Sequence, residues 1–259
     1  MSAWDLRLGD CLDPVTGLAA LPDQSVDHLV TDPPYDEHTH KCGRRGATDY
    51  VEAQSSARAT FFRNRDLGFE PITAEQMAEV GRQAGRLARR WVLVFCALEM
   101  VSDWRAALEA GGLDYVRCGL WIKQGATPQF TGDRPATGAE AIVIAHRKGR
   151  KRWNGGGRHG VWSVPIVLNR GASGEPRMHP TQKPRALLEA LLSDFTDPGE
   201  LILDPFAGSG TTAAAAVALG RQFLGFERDP EHHETARRRL AGEGVRSTEG
   251  QMTLALGAP

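Results

Sequence analysis

Short apolar runs alternate along most of the chain with longer stretches in which apolar residues recur every three to four positions. Trp4–Leu8, Val26–Thr31, Trp91–Cys96, Tyr115–Lys123, Ala141–His146, Leu201–Leu203 and Gln222–Phe226 are short and bounded by turn-forming or charged residues, the pattern of buried strands. Between them, Leu12–Leu21, Thr73 to about Arg89, Glu99–Ala110, Lys183–Phe195, Thr211–Leu219 and Pro230–Leu240 carry the helical period. Thr73 is placed as an N-cap, and Gly111-Gly112 and Gly220 stop the helices they follow. Strands separated by helices predict an α/β fold with a mostly parallel sheet and helices on both faces. Tyr115–Lys123 and Ala141–His146 have no helix between them, only the loop Gly125–Gly138, and predict an antiparallel hairpin at a sheet edge. No internal repeat is visible.

The strand Val26–Thr31 runs into Asp32-Pro33-Pro34-Tyr35. An exocyclic amine on an aromatic ring is a poor nucleophile, because its lone pair is delocalised, so its alkylation requires that its N–H groups be held and the lone pair re-aimed. Asp32 supplies one acceptor. Pro33 and Pro34 lack an N–H and force extended backbone before them, which turns the Pro33 carbonyl toward a ligand as a second acceptor. Tyr35 offers a flat face for a base, a contact worth about 1–3 kcal/mol where bases stack on aromatic side chains. Read alone, the tetrapeptide is equally a turn after a strand.

A second signature lies far downstream, in Leu201-Ile202-Leu203-Asp204-Pro205-Phe206-Ala207-Gly208-Ser209-Gly210-Thr211-Thr212. Strand, acid, glycine loop and helix in that order form a nucleotide-binding turn, in which Gly208, Ser209 and Gly210 let backbone approach a ligand. Asp204 is placed to hold a cofactor ammonium or loop amides. Phe206 flanks an adenine or joins the core, and Thr211 and Thr212 are helix caps with a ligand contact open to them. Glu227, about 20 residues beyond the loop at the end of the next strand, is placed as a ribose ligand. The loop lacks a P-loop ending and fits Gly-x-Gly-x-x-Gly poorly, which favours a ligand without a pyrophosphate.

Together these blocks resemble the amino-group DNA methyltransferases that use S-adenosylmethionine, in the permuted (beta) class whose catalytic motif precedes the cofactor motif. A third block, His179-Pro180-Thr181-Gln182-Lys183-Pro184, adds to the resemblance, which covers Asp10 to Leu240 and is weakest between Asp36 and Phe69. The resemblance implies a Rossmann-like methyltransferase fold. It also implies that Thr181, Gln182 and Lys183 touch the methionine end of the cofactor, Lys183 near its carboxylate, and that Asp10 lies near its adenine. The activity it implies is methyl transfer to the amine of a flipped base in double-stranded DNA. Asp at the first position of the catalytic motif is commoner in adenine N6 enzymes, whereas cytosine N4 enzymes often carry Ser. RNA or protein amide methyltransferases usually begin that motif with Asn, an oxidoreductase using NAD leaves Asp-Pro-Pro-Tyr unexplained, and a non-catalytic relative does not need intact motifs.

At 259 residues with 41% hydrophobic residues, the chain has the size of one catalytic domain. No apolar run reaches membrane-spanning length and no signal-peptide pattern opens the chain, so a cytoplasmic enzyme is expected. Cys11, Cys42, Cys96 and Cys118 lack paired spacing, so neither a disulfide framework nor a metal is expected, and His38, His40 and Cys42 are assigned to a polar loop. The net charge of −1 hides two basic segments. One follows the catalytic motif, within residues 36–70, and carries Lys41, Arg44, Arg45, Arg58, Arg63 and Arg65; it is expected to be a mobile loop that orders on DNA. The other, 147–178, carries Arg150, Lys151, Arg152 and Arg158 with Trp153, Trp162 and a flexible Gly155-Gly156-Gly157, and stands where the resembled class has its target-recognition region. Both are short, which points to a homodimer. Trp91, Trp104 and Trp121 are assigned to the core, and His232 and His233 to the surface.

Overall fold

The computed structural model describes residues 3–35, 70–126, 128, 134–167 and 182–242. In chain order the elements are β1 (Trp4–Leu8), β2 (His28–Thr31), α1 (Ala74–Leu87), β3 (Trp91–Cys96), α2 (Val101–Ala110), β4 (Leu113–Gln124), β5 (Ala139–Arg147), β6 (Val161–Pro165), α3 (Arg185–Phe195), β7 (Leu201–Asp204), α4 (Thr211–Ala218), β8 (Gln222–Glu227) and α5 (Pro230–Gly242). The strands form one 8-stranded sheet in the order β1-β8-β7-β2-β3-β5-β4-β6. Among the described strands only β5 is reversed, running antiparallel to both β3 and β4. The carboxyl ends of the parallel strands and the start of β5 therefore lie along the same edge.

Side-chain alternation divides the core into two layers, as expected for a sheet covered on both faces. Leu29, Val92, Val94, Val143, Leu203 and Leu224 face α1 and α2, while Val30, Trp91, Leu93, Phe95, Ile142, Ile202 and Phe223 face α3, α4 and α5. Trp91, Trp104 and Trp121 are buried, in agreement with their assignment to the core. Thr73 caps α1 with a full capping box shared with Gln76. Helices α1 and α2 approach closely through glycines: a Cβ at Gly81 would lie 2.3 Å from the Ala107 carbonyl oxygen, and one at Gly85 only 1.8 Å from that of Gly111.

The structure departs from the sequence reading at four places. Leu12–Leu21 is not an α-helix, and only Leu18–Ala20 forms a 3-10 turn. Asp13 Oδ1 accepts from the Val15 and Thr16 amides, a local bond that competes with the helix, and Gly17 sits where a Cβ would meet the Cys11 carbonyl at 2.4 Å. The β4–β5 hairpin is not at the edge, because β6 pairs alongside β4. That strand escapes an apolar-run criterion, since Trp162 is its single buried residue. Neither Thr211 nor Thr212 caps α4; Gly210 does, in the left-handed conformation. His233 is buried, with its ring Nε2 donating to the Leu6 carbonyl, so it is a core contact between α5 and β1.

Gly85→Ala should be destabilising by about 1–3 kcal/mol, because the clash is with backbone and outweighs the gain in helix propensity. A thermal denaturation midpoint equal to or above that of the wild type would contradict the close-packed α1–α2 contact.

Candidate active site

Asp32 follows immediately on β2, whose last residue Thr31 pairs in register with Val94 of β3. Asp32 Oδ2 accepts from the Lys183 ammonium at 2.6 Å, whereas Oδ1 is buried and has no partner among the described residues. Lys183, two residues before α3, also reaches Glu140 Oε2 at 3.1 Å and the Tyr35 hydroxyl at 3.4 Å. Tyr35 donates to Glu140 Oε2 at 2.8 Å. Lys123, at the end of β4, completes the group at 2.6 Å from Glu140 Oε1. Two carboxylates and two ammonium groups thus meet at the carboxyl edge of the sheet, with the Lys183 charge 5.4 Å from the ring centres of both Tyr35 and Phe95.

The balance of charge sets how each group titrates. Isolated ions are too costly to bury, so buried charges come paired. Burial pushes the Asp32 carboxyl up, Lys183 pulls it down and Glu140 pushes it up again, with the net direction upward. Burial acts the same way on Glu140, but there Lys183, Lys123 and the Tyr35 hydroxyl outweigh it and hold the carboxyl down, at about 2. Burial would lower Lys183, yet the two carboxylates keep it above its ordinary value. Asp32 is therefore the member of the cluster that most readily takes up a proton.

Beside this cluster, β7 lies next to β2 and delivers the glycine loop. The Asp204 carboxylate accepts from Thr31 Oγ1 at 2.7 Å and from the Phe206 amide at 3.1 Å, so it ties the loop to the strand bearing Asp32. Burial raises its pKa to about 6 against the hydrogen bonds of Thr31, Thr212 and the Phe206 amide. Gly208 and Gly210 have φ of 53° and 77°, and a Cβ at Gly208 would meet open space, so the loop presents bare backbone outward. Glu227 holds the loop from β8, its Oε2 accepting from the Gly208 amide at 2.7 Å and its Oε1 from the Asp229 amide.

The model of the N6/N4 methyltransferase family, described as DNA methylase, matches residues 26–238, a span that contains the charged cluster and the glycine loop. The chain belongs to this family. It is a DNA methyltransferase of the amino-group class, with S-adenosylmethionine as methyl donor. Among curated relatives, the Escherichia coli K12 DNA adenine methyltransferase YhdJ is 29% identical over 240 residues, 88% of this chain and 80% of that protein. The solved complex of M1.HpyAVI with SAM superposes with a TM-score of 0.65 at 24% identity, covering 92% of this chain and 100% of that one. The cytosine-N4-specific PvuII DNA methyltransferase superposes at 0.66 with 14% identity, covering 92% of this chain and 88% of the other.

In this DNA methylase the remaining sequence candidates fall in several places. Asp10 lies beyond β1, exposed, its Oδ1 accepting from the Leu12 amide. Phe206 is half-buried against the α1–α2 layer. Ser209 and Thr212 are buried, and the Thr211 hydroxyl accepts from Arg239 of α5 at 3.0 Å. Lys183 and Gln182 lie within the described residues, but Thr181, Lys41, Arg44 and Arg45 lie outside them. Lys151 and Arg152 pair with Asp114 at 3.5 Å and Asp197 at 2.6 Å, and with Arg150 they occupy the amino edge of the sheet, opposite Asp32. Arg158 pairs with buried Asp194 of α3. Trp162 donates to Asp194 and Trp153 packs edge-on against Phe195, so these rings are fixed to α3 and are not free to stack on bases. Gly155 is likewise buried, with the Trp153 ring where a Cβ would stand, so it is a packing position and not part of a flexible stretch.

Glu140 and Lys123 were not among the sequence candidates. The signal for them is positional: in a β4–β5 hairpin, the last charge of one strand and the first of the next must meet at the same edge.

Lys183→Met should move the acid limb of the methyl-transfer pH profile to higher pH. Without the ammonium, burial and Glu140 still raise the Asp32 carboxyl and only the weaker pull of Lys123 lowers it, so the ionised form is lost sooner as pH falls. An acid limb that stays in place would show that Asp32 titrates independently of Lys183.

Proposed function

We propose that this enzyme methylates N6 of adenine in double-stranded DNA, acting on a base turned out of the helix and held between Asp32 and the Tyr35 ring. The observation that carries this reading is the asymmetry of Asp32, with one oxygen held by Lys183 and the other buried and open. An unpartnered buried acceptor costs about 1–3 kcal/mol, a cost removed when a ligand N–H fills it. An exocyclic amine supplies such an N–H, and flipping the base costs only a few kcal/mol. Adenine is preferred over cytosine because Asp32 stands first in the motif and because a relative at 29% identity is named an adenine methyltransferase.

The glycine loop fits the methyl donor, since its backbone faces open space and acids close it on both sides. S-adenosylmethionine supplies a methyl group on a positively charged sulfur. Glu227 retains a lone pair on each oxygen for ribose hydroxyls beyond the amides it already accepts. Asp204 acts mainly by fixing the loop against β2, with Phe206 at the mouth and Asp10 toward the adenine end. At the acceptor side, Asp32 Oδ1 and the Pro33 carbonyl take the amine hydrogens and aim the nitrogen lone pair. With the cofactor bound, its sulfonium would supply the methyl group and leave as the neutral thioether, and Asp32 would take the surplus proton from the methylated nitrogen. Asp32 does not deprotonate the amine beforehand, because a neutral aromatic amine is too weak an acid for a carboxylate. Holding the two reactants in line can supply about 7–11 kcal/mol of such a barrier.

Asp32→Ala should abolish turnover while titration calorimetry still finds normal cofactor binding; retained turnover would sink the assignment. The target base is read by treating unmethylated DNA with enzyme and cofactor, digesting to nucleosides and weighing the product. N6-methyl-2′-deoxyadenosine is expected, whereas N4-methyl-2′-deoxycytidine would transfer the same mechanism to the other base.

A further inference from the structure

Glu140 shares the site with Asp32 yet has no part in the transfer as derived above. It is the second residue of β5, and the reversal of that strand brings its start to the edge where the parallel strands end. Both its oxygens are used. Oε1 faces Lys123 at 2.6 Å, and Oε2 receives the Tyr35 hydroxyl at 2.8 Å and the Lys183 ammonium at 3.1 Å.

We propose that Glu140 is a positioning residue for methyl transfer: it fixes the Tyr35 ring by its hydroxyl and draws the Lys183 ammonium off Asp32, so that a single Asp32 oxygen is held and the other stays open to the amine. This inference rests on the roles given above to Asp32 and Tyr35. An ammonium has three N–H groups, and those of Lys183 face Asp32 Oδ2, Glu140 Oε2 and the Tyr35 oxygen. Without the Glu140 charge, Lys183 has one carboxylate left, and nothing opposes its engaging both Asp32 oxygens. Asp32 then becomes a weaker acceptor, at the atom where the amine must bind. Tyr35 loses its only charged acceptor among the described residues at the same time, so the ring that receives the base is freed to rotate. Lys123 keeps Glu140 ionised, since it supplies the second positive charge that a carboxylate shared with Lys183 and Asp32 requires.

A purely structural Glu140 would be expected to affect stability alone, whereas a positioning Glu140 also changes how Asp32 titrates. Both can be read from Glu140→Gln in the full-length chain, with transfer of a labelled methyl group to unmethylated DNA as the assay. The expected result is a fall in kcat of about 10²-fold, the usual effect of a misplacement near 1 Å, with cofactor affinity unchanged. The acid limb of kcat/KM should move to lower pH, opposite to Lys183→Met, because the Glu140 charge raises Asp32 and its removal lowers it. A kcat and acid limb equal to those of the wild type would overturn the proposal. Glu140→Asp provides a second reading should the amide variant fold poorly: it keeps the charge but withdraws it from Tyr35. A reduced kcat with the acid limb in place supports the proposal, and full activity counts against it. Failure of the wild-type enzyme to methylate adenine would count against the function proposed above, while normal turnover by the Glu140 variants counts against Glu140 alone.

Discussion

Charge compensation at the carboxyl edge of the sheet is the constraint on which the site depends. In the role proposed for Asp32, a carboxylate that grips an amine at a largely buried site is desolvated, and desolvation pushes it toward the neutral form that grips poorly. One lysine in full contact would restore the charge but would occupy the oxygens needed for the substrate. The structure resolves this conflict with a second acid and a second base. Lys183 is divided between Asp32 and Glu140, and Lys123 offsets the added negative charge. Removing any one member of such a buried set leaves an uncompensated ion, a change that costs about 3–5 kcal/mol when buried pairs are broken.

The reversed strand makes this arrangement reachable. In an all-parallel sheet, every strand enters the active edge by its last residues, and the loops that follow carry the chemistry. With β5 running the other way, its first residues also arrive at that edge: Glu140 pairs with Trp121 of β4, and the next residue, Ala141, pairs with both Leu120 of β4 and Cys96 of β3. Glu140 is therefore placed by the sheet and not by a loop, and its position is as rigid as the core beneath it, where Ala141 and Ile142 are fully buried.

The fold was legible because its strongest signals are periodic and local: buried strands separated by amphipathic helices, a capping box at Thr73 and a glycine turn after Asp204. Asp32, Asp204 and Glu227 stand out in sequence because each sits in or beside a short motif, and the structure gathers them at one edge of the sheet. Glu140 and Lys123 were not, since each stands alone beside an apolar run and acquires meaning only through strand register. In the basic band 147–178, composition tells only part of the charge balance for a related reason. Composition registers the positive charges, but Asp114, Asp194 and Asp197, which pair with three of them, come from elsewhere in the chain. The segment Leu12–Leu21 shows helical periodicity overruled by a local side-chain bond from Asp13.

Sequence order and spatial order also part company at the centre of the enzyme. The acceptor motif comes at Asp32 and the glycine loop some 170 residues later, yet β2 and β7 are immediate neighbours in the sheet. Adjacent parallel strands stand about 4.8 Å apart, so the two strand ends bring Asp32 and the glycine loop side by side. The Thr31–Asp204 hydrogen bond crosses that boundary, and Asp27 repeats the tie at the other end of the strands by accepting from the Leu201 amide. What the reaction requires of the fold is therefore the lateral pairing of two strands, and any order of connection that preserves that pairing serves it equally well.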